Sequence, residues 1–192
     1  MSAALREAEQ GRLPEWAQVD EERRGHITRV AALLEDWAAA LTLPEGEVRR
    51  WRAAAWLHDA LRGADAAEIR SLVPLHLRDL APPLLHGPAA AELLRNEGVT
   101  DEPLLLAIGY HTLGHTGFDP CGRALFAADY LEPGRNFDPL ARAALRARMP
   151  HGLDEVLPTI LRARIVHLLQ SGRRVRPETL AFWNTIAPQP RA

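Results

Sequence analysis

The sequence predicts an all-α protein, a single-domain helical bundle around one core. Apolar residues recur at three- and four-residue spacings along most of the chain, the period of a helix with one buried face. Runs that alternate with strand period are nearly absent, and there is no repeat or low-complexity linker. A length of 192 residues, with 47% apolar and 25% charged side chains, suits one soluble globular domain.

Residues 1–18 are polar and contain Pro14, which reads as a short helix or a loose extension. Ile27, Val30, Ala31, Leu34, Ala38 and Leu41 then mark a helix over 20–41, closed by Pro44. The next helix covers 47–61 and stops at Gly63, and a short one covers 65–72 before Pro74. Pro74, Pro82 and Pro83 make 74–86 a loop, and Pro88 suits the first turn of a helix reaching Arg95. Thr100-Asp101-Glu102 caps a helix over 103–112, which Gly114 and Gly117 end. Residues 123–131 are helical up to Pro133-Gly134, and further helices are expected near 138–148, 154–171 and 177–186.

The formal net charge of −2 provides no global field for a nucleic acid polymer. The chain has no lysine, so any phosphate contact falls to arginine. Cys121 is the lone cysteine, which excludes an internal disulfide and a cysteine-based metal site and fits a reducing cytoplasm. Residues 1–16 lack the apolar core of a signal peptide, and no run approaches the roughly 18 apolar residues needed to span a membrane.

Leu57-His58-Asp59-Ala60 places an imidazole and a carboxylate side by side in an apolar helix. Burying that pair is costly unless something pairs with it. A divalent cation accepts a neutral imidazole nitrogen and an ionised carboxylate together. Four other segments offer ligands: His26 near the start of a helix, His86 at the end of the proline-rich loop, His111 at a helix end, and Asp129 inside an apolar helix. Taken singly, each has a plainer reading. His26 could cap a helix or face solvent, His86 could be a loop residue, His111 could bond a backbone carbonyl, and Asp129 could pair with a buried arginine. Their order along about 100 residues is far more specific than any one of them.

In that order the chain resembles the HD superfamily of metal-dependent phosphohydrolases, and more narrowly the YqeK-type symmetrical diadenosine tetraphosphatases of bacteria. The resemblance runs from about Arg23 to Trp183. It rests on Arg23-Arg24-Gly25-His26, Leu57-His58-Asp59, Leu85-His86-Gly87-Pro88, Tyr110-His111-Thr112, and the run from Ala128 to Phe137 with its Asp-Tyr, Glu-Pro and Arg-x-Phe elements. Arg176-Pro177-Glu178-Thr179-Leu180 and Trp183-Asn184 also fit.

The resemblance implies an HD-type domain over 19–188, preceded by an extension over 1–18. It implies one ion on His26, His58, Asp59 and Asp129, a second on His86 and His111, and Asp59 as the bridge. This nitrogen and oxygen donor set suits octahedral Fe²⁺, Mn²⁺ or Co²⁺ better than tetrahedral zinc, and the resemblance favours iron. A metal-activated water would then cut diadenosine tetraphosphate into two ADP. Asp59 and Arg62 are the catalytic candidates. Arg23, Arg62, Thr112, Arg123 and Arg135 are the candidates for holding a dinucleoside polyphosphate or other nucleotide.

Two positions depart from the family. Arg62 stands where lysine is usual, and arginine keeps its charge and cannot pass a proton; it can hold phosphate but would be a poor acid. Ala60 stands where an aromatic residue is common, which leaves base packing to residues such as Phe118, Tyr130 and Phe137, if these are not core. His111 and His115 lie four apart like a helical zinc pair, but Gly114 and Gly117 argue against a continuous helix there. His76, His151 and His167 read as structural or solvent-facing. Competing functions are another HD-type nucleotide phosphohydrolase, such as a nucleotidase, and an inactive helical interaction module. The family leaves room for a homodimer.

Overall fold

A computed structural model describes residues 2–188; Met1, the first residue of the expected extension, lies outside them. The described residues form ten α-helices and no strand. These are α1 (Ala3–Glu9), α2 (Glu21–Ala40), α3 (Glu45–Leu57), α4 (Ala66–Arg70), α5 (His86–Asn96), α6 (Glu102–Tyr110), α7 (Pro120–Leu131), α8 (Pro139–Arg146), α9 (Leu153–Gln170) and α10 (Pro177–Ile186). Two 3-10 turns, Leu75–Leu77 and Pro82–Leu84, lie within the expected proline loop.

Aspartate opens five of these helices at the N-cap, and four of those side chains take up a free amide. Asp20 accepts from Arg23, Asp65 from Ala67 and Glu68, Asp101 from Leu104, and Asp119 from Gly122. Asp119 sets the start of α7 at Pro120, three residues before the periodicity alone suggests. Helix α7 forms the centre of the bundle, packing against α2, α3, α6, α8 and α9. Its residues Ala124, Leu125, Phe126, Ala127, Ala128 and Leu131 are all buried, which explains why the segment reads as apolar on every side. Burying the Val30, Leu34, Trp51, Leu57 and Phe126 side chains in this core stabilises the fold by about 1.5–3 kcal/mol each.

The N-terminal segment carries a real helix. α1 packs on α3, and Ala4 and Ala8 are buried. The stretch after α1 also reshapes α3. The helix expected over 47–61 ends at Leu57, because Gln18 donates its amide to the Ala60 carbonyl at 2.7 Å and accepts from the Gly63 amide at 2.8 Å. The chain therefore leaves the helix just where His58 and Asp59 occur.

A second turn is set by Gly114, whose φ of +81° lies in the left-handed region. A Cβ there would fall 2.3 Å from Phe182 Cδ1, inside the cluster formed by Phe118, Phe126 and Phe182. Phe118 is therefore a core residue. Among the described residues, no helix is long and apolar enough to cross a membrane.

Gly114→Ala should cost about 2–4 kcal/mol, from left-handed strain plus the Phe182 clash, with thermal or denaturant unfolding as the measurement. A neutral substitution would mean that α10 repacks freely.

Candidate metal centre

Helix ends deliver most of the donor atoms. His58 caps the C-terminus of α3 and Asp59 begins the turn after it, His86 is the first residue of α5, and His111 caps α6. His26 lies in the second turn of α2, and Asp129 near the end of α7. Gly87 allows α5 to approach α6 closely. A Cβ on it would meet the Ile108 and Gly109 carbonyls at 2.9 and 3.0 Å and His111 Cε1 at 3.1 Å.

All six residues are at most 4% exposed, and their donor atoms converge. His26 Nε2 is 3.3 Å from His58 Nε2, 3.2 Å from Asp129 Oδ1 and 3.5 Å from Asp59 Oδ2. His58 Nε2 is 3.6 Å from the same Asp59 Oδ2. The other Asp59 oxygen, Oδ1, lies 2.9 Å from His86 Nε2 and 3.4 Å from His111 Nε2, and these two nitrogens are 3.1 Å apart. Asp59 thus turns one oxygen to each imidazole set. Ligands at about 2.1 Å from an octahedral ion sit about 3 Å from their neighbours, and the spacings match that.

The tautomers point the same way. His58 Nδ1 lies 2.7 Å from the Ala55 carbonyl, His111 Nδ1 2.8 Å from the Ile108 carbonyl, and His26 Nδ1 3.2 Å from Glu132 Oε1. Each partner takes an N–H at Nδ1, which leaves the Nε2 lone pair aimed inward. Lone pairs facing one another at 3.1–3.3 Å repel unless a cation or proton lies between them. His86 Nδ1 is the one buried side-chain polar atom without a hydrogen-bond partner among the described residues.

Burial drives the His58 pKa down to about 3, so the ring is neutral. Burial also opposes charge on Asp59 and Asp129, but their neighbours outweigh it: His58, His111 and His86 around Asp59, and His26, Arg135 and Arg164 around Asp129. Both stay well below the ordinary carboxylate range. Burial disfavours a charged His26 as well, but Asp129 and Glu132 overcome it and raise its pKa.

The arginines divide into two groups. Arg23 Nη1 lies 2.8 Å from Asp59 Oδ2, and Arg135 Nη2 lies 2.5 Å from Asp129 Oδ1 and 3.1 Å from its carbonyl. The backbone amide of Arg62 donates to the Asp59 carbonyl at 2.9 Å; its guanidinium makes no hydrogen bond or ion pair among the described residues, yet lies near enough to His86 to depress its pKa, after burial and the other neighbours. Thr112 is half-buried, and its carbonyl accepts from Arg164. Arg123 is not brought to the centre: it faces Asp154 at 3.5 Å on the exposed surface, because its side chain leaves α7 on a different face from Asp129.

Sequence reasoning missed Glu132 and Arg164. Glu132 joins His26 to Arg29, whose Nε is 2.5 Å away, and its position three residues after Asp129 was the available signal. Arg164 lies 3.0 Å from Asp129 Oδ2, and follows Leu157, Ile160 and Leu161 at the spacing of a buried stripe. Arg142, fully buried, donates to the carbonyls of Tyr130, Glu132, Arg135 and Phe137 and pins the turn after Asp129. Ala60 is fully buried, and His115 donates nothing to the centre; its Nδ1 accepts from Gly117. A cavity of about 440 Å³ lined by Arg12, Pro14, Arg24 and Trp56 contains none of the six donors, so convergence of donors marks the centre.

A family model for the HD domain matches residues 23–134. The chain belongs to the HD-domain family of metal-dependent hydrolases. Among individual proteins, it is 32% identical over 137 residues to the symmetrical bis(5'-nucleosyl)-tetraphosphatase of Bacillus subtilis (strain 168), covering 68% of this chain and 73% of that protein. It is 28% identical over 173 residues to the enzyme of the same name from Staphylococcus aureus, covering 87% and 88%. The fold is similar to the crystal structure of a predicted HD superfamily hydrolase involved in NAD metabolism from Clostridium acetobutylicum. The TM-score is 0.76 at 23% identity, over 88% of this chain and 90% of that one.

Glu132 is held down from an ordinary 4.5 to about 2; burial opposes this, and the His26 and Arg29 contacts outweigh it. A depressed carboxylate stabilises the fold above its unfolded value and stops doing so as pH falls through the folded one. The stability advantage of the wild type over Glu132→Gln should be full above pH 4.5 and vanish towards pH 2 in denaturant titrations. A difference that stays constant with pH would show that the Glu132 charge is not what holds His26.

Proposed function

We propose that this chain hydrolyses diadenosine tetraphosphate symmetrically to two ADP, using two divalent cations. His26, His58, Asp59 and Asp129 hold one and His86 and His111 the other, with Asp59 shared. The observation that carries this reading is the division of Asp59, with Oδ2 towards His26 and His58 and Oδ1 towards His86 and His111. The names of the relatives support the substrate. The nitrogen and oxygen donors suit Fe²⁺, Mn²⁺ or Co²⁺, and the family resemblance alone makes iron the first choice. The reading places the enzyme in the cytoplasm, where the lone buried Cys121 stays reduced.

When bound, such ions lower the pKa of water and withdraw charge from phosphate oxygens. The protein's own groups do the rest. Asp59 and Asp129 remain ionised although buried, so no proton competes for their oxygens. Arg62, without a partner, takes a non-bridging phosphate oxygen in its fork and orients the polyphosphate. Arg23 and Arg135, now on the carboxylates, are placed to exchange onto phosphate, and the Thr112 hydroxyl supplies a neutral contact. Arg62 cannot carry a proton at working pH, so its part is electrostatic and the leaving phosphate receives its proton from solvent.

Anion-exchange analysis of products formed with Fe²⁺ or Mn²⁺ should show ADP alone. AMP plus ATP, or turnover of mononucleotides in preference, would instead support a different HD phosphohydrolase. Asp59→Ala should abolish both turnover and ion retention, the latter read by elemental analysis; near-normal activity would overturn the ligand assignment. Arg62→Lys should keep most of the activity and Arg62→Ala should raise KM, with bound metal unchanged in both. Loss of metal in either would give Arg62 a structural part instead.

A further inference from the structure

We propose that Arg164 is a positioning residue that ties the two ion positions to each other. The proposal rests on the two-ion reading above. Arg164 lies on α9, outside the stretch that matches the HD family model. Its two terminal nitrogens serve different elements. Nη2 lies 3.0 Å from Asp129 Oδ2, on α7. Nη1 lies 3.4 Å from the His111 carbonyl and 3.3 Å from the Thr112 carbonyl, at the end of α6.

These contacts have separate consequences. Asp129 Oδ1 is the oxygen that faces His26 Nε2. With Oδ2 held by Arg164, Asp129 would present Oδ1 to an ion held beside His26. At the other end, holding the carbonyls of 111 and 112 fixes the backbone from which the His111 ring enters the second position. The guanidinium itself is steadied by the faces of Phe126 and Tyr130, 4.7 and 5.9 Å from its central carbon. One rigid fork thus spans a ligand of each ion, and lysine, with one nitrogen, cannot do so.

The test is calorimetric titration of the metal-stripped full chain with Mn²⁺, comparing wild type, Arg164→Met and Arg164→Lys. Methionine keeps a long apolar side chain without the guanidinium, and thermal unfolding of the stripped proteins checks that each is folded. Wild type should take two ions. Arg164→Met should bind both about 10–100-fold more weakly, the usual loss when a group supporting a ligand is removed. Arg164→Lys should weaken at least one position, and saturating Mn²⁺ should restore kcat in both variants. Wild-type affinity at both positions in Arg164→Met or in Arg164→Lys would overturn the proposal, as would a loss in Arg164→Met confined to one position. A KM that stays raised at saturating Mn²⁺ would also overturn it and make Arg164 a phosphate contact. A wild-type chain that binds no Mn²⁺ would defeat the two-ion reading along with this one, whereas unchanged variants defeat this one alone.

Discussion

Asp59 is a carboxylate 3% exposed in the middle of an apolar bundle, with its two oxygens committed in different directions. A buried charge of this kind is costly unless several groups share it. Here four imidazoles and Arg23 do so, and each must come from a different part of the chain. That requirement explains features otherwise unrelated. The 11–19 segment ends α3 early and turns Asp59 inward. Gly87 lets α5 press against α6, and Gly114 lets the chain turn away just past His111. Arg142 locks the loop after Asp129.

Helix ends suit this task better than helix middles. A mid-helix histidine has its backbone carbonyls engaged along the helix, and its neighbours three and four residues away crowd its face. At a C-terminus, the ring can fold back on a carbonyl three residues earlier, as His58 does on Ala55 and His111 on Ile108. One motif thereby fixes the tautomer and the aim of two ligands from two helices. Both pairs use carbonyls in the last turn, where free acceptors are available.

Most of the bundle could be read from periodicity and punctuation, and helices such as α2 and α10 fall where Pro44, Pro177 and the apolar spacing put them. The six proposed ligands were candidates in the sequence too: His58-Asp59 and Asp129 interrupt apolar helices, and the order of all six along the chain, with the family resemblance it carries, marked His26, His86 and His111. What stayed hidden was anything set by contacts between distant segments. The shortening of α3 comes from Gln18, about 40 positions earlier in the chain, and no local propensity records it. Arg123 and Arg164 show the same limit from opposite sides. Both are arginines on helices, and only packing reveals that one faces Asp154 at the surface while the other reaches Asp129. Phe118, a stacking candidate by type, is core because α10 lies over it.

The charge balance around the centre supplies the last constraint. Three carboxylates, Asp59, Asp129 and Glu132, touch four guanidiniums: those of Arg23, Arg29, Arg135 and Arg164. Without cations the two signs nearly cancel. Two divalent ions would add four positive charges among buried groups, where repulsion is weakly screened. The arginines on the carboxylate oxygens would then be in surplus, and two of them, Arg23 and Arg135, are about 30% exposed and free to turn outward. A polyanion entering beside such ions would offset that surplus. A chain of four phosphates meets that demand far better than a monophosphate, which connects the buried Asp59 to the choice of a dinucleoside tetraphosphate.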